Sequence, residues 1–195
     1  MNFKLLTVLA ILTFCTFTAN SQLIFNKFSS SFKNETVPFV IDENFMSHQL
    51  ENPDEHPLMD PIFYEFILSD SEKENVYKRC GGYTPMDSCS QISFIAKTNV
   101  SATYTSFVYS EKILAAEKQE LIYYLVIFDG KKKYSDKIQI AQIKYEEGKV
   151  HVWEGYVFNS NDIFTVKKSY INPETLSSIS KINYEISKKG KIENR

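Results

Sequence analysis

His56 sits in Asn52-Pro53-Asp54-Glu55-His56-Pro57, with Asp60 close behind. An imidazole among carboxylates is the chemistry of a divalent-metal ligand set or of acid–base catalysis. Asp54, His56 and Asp60 are therefore the candidate metal ligands of the chain. Their spacing matches no established ligand pattern, and a proline-bounded solvated loop accounts for the same residues. No cofactor is expected. His151 is the second histidine with chemical potential. On an extended strand it shares a face with Trp153, and Glu154 points the other way. With Tyr145 these residues form the candidate binding surface, in which aromatic rings carry polar tips and the imidazole adds a hydrogen-bonding group. Ordinary strand packing would use the same residue types. His48 has no evident partner.

The remaining reactive side chains are cysteines. Cys80 and Cys89 enclose Gly81-Gly82-Tyr83-Thr84-Pro85-Met86-Asp87-Ser88, a segment rich in turn formers that brings its ends together. Eight intervening residues do not resemble the two-residue spacing of thiol oxidoreductases, and no nearby histidine completes a metal set. A structural disulfide is the expectation in an oxidising compartment.

That compartment is read from the first residues. Met1-Asn2-Phe3-Lys4 carries one positive charge, Leu5 to Thr18 is almost wholly apolar, and Ala19-Asn20-Ser21 supplies small residues ahead of Gln22. This is the order of a secretory signal peptide, 1–21, cleaved near Ser21. The apolar run is shorter than the ~20 residues that span a bilayer as a helix. Cys15 follows Leu12-Thr13-Phe14, but Phe14 stands where a lipidation site needs Gly or Ala. The mature product is therefore expected outside the cytoplasm, periplasmic or secreted, with no membrane-spanning helix.

Several mechanisms are excluded. The six glycines are scattered at 81, 82, 130, 148, 155 and 190, which gives no phosphate-cradling loop. There is no Gly-x-Ser-x-Gly elbow and no His-Glu-x-x-His helix. With net charge −2 and dispersed lysines, nucleic acid is not an expected partner. Between Glu35 and Glu74 eleven acidic residues face a single lysine, Lys73, whereas 101–195 holds 15 basic and 12 acidic residues. An acidic segment of this kind suits a basic partner or a solvated surface. Asn34-Glu35-Thr36 and Asn99-Val100-Ser101 match the glycan acceptor pattern, which is idle if the chain is bacterial.

The elements that must position these groups follow from periodicity. Residues 22–60 read as an irregular acidic arm, interrupted by prolines and with one strand candidate at 37–41. Residues 61–195 read as a single domain. Asp60-Pro61 opens a helix, with Asp60 capping and proline in the first turn, and a second helical stretch covers 72–79. From Gln91 onward β-branched and aromatic residues dominate: 92–97, 102–109, 121–128, 138–145, 149–158 and 163–170 read as strands. Glu146-Glu147-Gly148 forms a hairpin loop, 110–120 reads as a short capped helix or as a turn joining two longer strands, and 173–179 as a short helix before a strand. The class is α+β, with a mostly antiparallel sheet of about five to seven strands in the C-terminal two-thirds and one or two helices before it.

The leading functional expectation is an exported, non-catalytic protein that binds an unidentified protein or carbohydrate. Its alternatives are a small hydrolase or metal-dependent enzyme using His56 or His151 with nearby carboxylates, and a structural or inhibitory envelope protein.

Overall fold

The computed structural model describes residues 22–36, 38–79, 90–100, 103–115, 118–146, 149–160, 163–172 and 175–195. The chain divides into two compact units, Met1–Ser31 and Phe32–Arg195. In the first, residues 22–30 form a helix, α1. Ser30 and Ser31 both donate their hydroxyls to the Lys27 carbonyl at 2.9 Å, which satisfies a carbonyl near the helix end.

The second unit is a sheet of ten strands. They are β1 (Lys33–Asn34), β2 (Phe39–Ile41), β3 (Ser90–Val100), β4 (Tyr104–Ala115), β5 (Lys118–Asp129), β6 (Tyr134–Glu146), β7 (Lys149–Ser160), β8 (Ile163–Asn172), β9 (Thr175–Ile186) and β10 (Ile192–Asn194). From β3 to β10 each strand pairs with the next in an antiparallel meander, so consecutive elements are spatial neighbours. β1 adds in parallel to β3, and β2 pairs antiparallel with β7. Three helices precede the meander: α2 (Glu43–Glu51), α3 (Tyr64–Ile67) and α4 (Asp70–Arg79). This is the α+β class expected, with a larger sheet.

Two expectations change and one alternative is decided. The 22–60 stretch is not irregular: besides α1 it carries β1, β2 and α2. Asp42 caps α2 by accepting from the Phe45 N–H at 2.9 Å, and Met46 and Gln49 turn inward from it. Of the two readings of 110–120, the longer strands hold: residues 110–115 and 118–120 continue β4 and β5 and pair with each other. Of the short helix expected at 173–179, residues 175–179 are instead part of β9, paired from Asn172↔Thr175 through Tyr170↔Ser178. Thr175, Ser177, Ser178 and Ser180 are poor helix formers, and a full cross-strand ladder outweighs a start signal at Asn172. Pro173 and Glu174 lie outside the described residues, as does Gly148 in the β6–β7 hairpin, whose ends pair as Glu146↔Lys149.

The helix expected at Asp60-Pro61 is present. A 3-10 turn, Pro61–Phe63, leads into α3, and Asp60 accepts from the Ile62 N–H at 3.0 Å. At the β5–β6 turn the left-handed residue is Lys132, φ 62°, rather than Gly130. The Asp129 carboxylate stabilises the turn by accepting from the Lys131 and Lys133 N–H groups at 2.9 Å.

The run Leu121–Phe128 is almost continuously apolar because β5 is covered on both faces. On one side Leu121, Tyr123, Leu125 and Ile127 join Met46 of α2, Ile41 of β2, and Phe164, Val166 and Ile186. On the other, Phe107 and Phe128 meet edge-to-face at 5.6 Å, and Phe94 meets Phe32 and Phe63 at 4.9 and 5.9 Å. Each such buried ring contributes about 1.5–3 kcal/mol relative to exposure. This double cover fixes the central strands that carry the polar groups described next.

Candidate functional site

A row of hydrogen-bonding side chains crosses β5 and β6. Glu120, Ile122 and Tyr124 alternate along β5, so they share a face. Their β6 partners are Lys144, Gln142 and Gln139. Between Gln142 and Gln139 the register shifts: Tyr123 pairs with Ala141 and Tyr124 with Gln139, which leaves the buried Ile140 as the extra residue of a bulge. Without the bulge Gln139 and Gln142 would face opposite ways. With it, the Gln139 amide donates to the Gln142 carbonyl at 3.1 Å, and the Gln142 amide donates to the Glu120 carboxylate. Glu120 is nearly buried and the two glutamines are half-buried.

The row continues by register into β7. Trp153 is the cross-strand partner of Gln142, His151 of Lys144, and Val150 of Tyr145. His151 and Trp153 thus stand at register positions beside the amide row, whereas Tyr145, next to Lys144 on β6, alternates to the opposite face, so the expected three-residue surface is divided between the two faces of the sheet.

A second polar group adjoins it toward β4. Tyr109 is the cross-strand partner of Tyr124, and their rings stack at 5.1 Å with 24° between planes. The Lys137 ammonium lies 5.5 Å from the centre of the Tyr124 ring, donates to the Ile67 carbonyl at 3.1 Å and pairs with Glu72 of α4. Glu72 also accepts from the Ser69 N–H and hydroxyl at 2.8 Å. Burial pushes the Glu72 carboxyl up, but these hydrogen bonds outweigh it and hold it below the usual carboxylate range. Glu111, 6% exposed, accepts from the Ser90 hydroxyl at 2.6 Å. The Tyr109 hydroxyl is buried and has no hydrogen-bond partner among the described residues. Burial pushes it well above the ordinary phenol range, with the charges of Tyr124, Glu72 and Glu111 adding to the effect, so it stays protonated at any physiological pH.

The histidine-loop residues are placed differently. His56 is half-buried, its ring 6.1 Å from Phe45 and hydrogen-bonded to the Phe94 backbone, and burial lowers its pKa. Asp60 is engaged in capping, and Asp54 is exposed in a 3-10 turn. Among the described residues no group of three His, Cys, Asp or Glu side chains could hold a metal ion. His48 has a partner after all, Glu55, at 3.4 Å. Cys80 and Cys89 lie outside the described residues. Among those residues no helix is long and apolar enough to cross a membrane.

Sequence reasoning missed Glu72, Tyr109, Glu120, Tyr124, Lys137, Gln139 and Gln142 as a set. Glu120 at the mouth of an apolar run was a readable signal, but the bulge that aligns Gln139 with Gln142 was not. No protein-family model matches the chain, and no curated protein or solved structure matches it either.

Proposed function

We propose that the chain is an exported, non-catalytic binding protein whose ligand is a carbohydrate held across β5, β6 and β7. One observation carries this reading: Gln142 is both the centre of the Glu120–Gln142–Gln139 row and the cross-strand partner of Trp153. Amides and a carboxylate offer donors and acceptors matched to sugar hydroxyls, and an indole at the adjacent register position offers an apolar face. The packing of His56 against Phe45 and the capping role of Asp60 favour this over an enzyme built on those residues.

Export rests on the Met1–Ser21 pattern, and the mature chain then begins at Gln22. An oxidising destination favours a Cys80–Cys89 disulfide.

The test is a printed array of neutral, amino and uronic-acid oligosaccharides probed with the mature protein. Selective retention on a subset of these sugars, lost with Gln142→Ala, supports the reading. Absence of retention on every sugar overturns it.

A further inference from the structure

We infer that the sugar carries a carboxylate, as a hexuronic acid does, and that Lys168 of β8 binds it beside Trp153. The inference rests on the carbohydrate reading and adds to it a ligand class and a specificity residue.

The first argument is register. Trp153 pairs with Gln142 on one side and with Lys168 on the other, and Lys168 pairs with Ser180 of β9. Directly paired residues share a sheet face, so Gln142, Trp153, Lys168 and Ser180 form one row across four strands. Gln142 and Lys168 stand two strands apart, about 10 Å at ordinary strand spacing. One uronic acid residue fits that interval, with ring hydroxyls toward the amide, a ring face toward the indole position and its carboxylate toward the ammonium position.

The second argument is access. Gln142 is half-buried and Ser180 is exposed, so the row is open to solvent at both of its ends. Gly155 and Val166, the next positions along that face, are buried. The row therefore follows the border of the core, where an ion pair is stronger than in open water.

The third argument is charge. Lys167, on the opposite face, has Glu154 as its cross-strand partner, and Lys144 has Glu120. Lys168 has Trp153 and Ser180 instead. The neighbouring positions on its face, Gly155, Val166, His151 and Tyr170, include no acid. Glu120 shares that face but stands three strands away, about 14 Å, beyond the Debye length of physiological salt. The register thus sets a carboxylate opposite Lys144 and Lys167 and none opposite Lys168, which suits Lys168 to an anionic ligand.

The experiment is calorimetric titration of the mature protein with the tightest uronic-acid oligosaccharide of the array and with its methyl ester. The ester keeps every hydroxyl and removes the charge. Wild type should bind the acid at least about tenfold more tightly than the ester, the weight of a charge-assisted hydrogen bond. Lys168→Gln should bring the two affinities within about twofold of each other. A wild-type protein that binds the ester as tightly as the acid overturns the inference, and so does one that retains only neutral or amino sugars on the array. A folded Lys168→Gln protein that keeps the preference overturns it as well. These failures leave the carbohydrate reading standing. An array on which nothing binds removes that reading and this inference with it.

Discussion

Gly155 of β7 lies directly on the backbone carbonyl of Ile140, the residue bulged out of β6. A Cβ at Gly155 would overlap the Ile140 oxygen and come within 2.7 Å of its carbonyl carbon. Both are backbone atoms, so no side-chain rotation relieves the contact. Gly155 also pairs with Ile41 of β2 and Val166 of β8, so the backbone cannot move alone. Gly155→Ala is expected to cost at least about 1–3 kcal/mol, the range of overpacked sites. Urea denaturation measures it, and an unchanged midpoint contradicts the close approach.

The same pair shows where sequence reading stops. The strands themselves were legible: the apolar run at 121–128 and the aromatic alternation at 149–158 are β5 and β7. The Asp60-Pro61 start was legible too, because capping is local chemistry. Bulges are not local, and the one at Ile140 decides which face Gln139 occupies. Gln49 was overlooked because a lone polar residue on a short helix carries no message until its partners across the fold are known. The start signal at Asn172 misled for the converse reason, a local preference overridden by pairing with β8.

Gln49 provides the next test. Its amide donates to the Ser110 hydroxyl at 3.0 Å, and its carbonyl accepts from the Tyr123 hydroxyl, which anchors α2 to the sheet. Tyr123→Phe leaves that buried carbonyl short of a donor and should cost about 1–3 kcal/mol. Gln49→Leu should cost a similar amount. The double variant should lose clearly less than the two single losses added, since the bond is broken only once. Additive losses in a double-mutant cycle would show that the two side chains are not bonded.

Acid should weaken the fold through His56. Burial depresses its folded pKa, against an opposing pull from Glu55, while the unfolded side chain titrates near 6.5. A depressed folded value means that the stabilisation is fully present above pH 6.5 and is lost as pH falls through the folded pKa. Denaturation midpoints should therefore drop as pH falls below 6.5, and His56→Asn should flatten that slope. An equal slope in the variant would assign the effect to other groups.

Exported material should begin at Gln22 and contain no free thiol in its native state. Intact-mass analysis and thiol titration check both points. Breaking a loop as short as Cys80–Cys89 should cost about 2–3 kcal/mol by returning chain entropy to the unfolded state, so Cys80→Ala lowers stability without abolishing folding. A product that retains Met1, or one with two titratable thiols, counts against export into an oxidising compartment.

Trp153→Ala bears most directly on the binding claim. Trp153 is the single tryptophan of the chain and the cross-strand partner of Gln142. The decisive measurement is calorimetric titration of wild-type and Trp153→Ala protein with the tightest array oligosaccharide, alongside a denaturation curve for each. The account predicts that Trp153→Ala keeps a cooperative unfolding transition and loses at least tenfold in affinity, the weight of an aromatic contact at a binding surface. A folded Trp153→Ala protein that binds the sugar as tightly as wild type would contradict it.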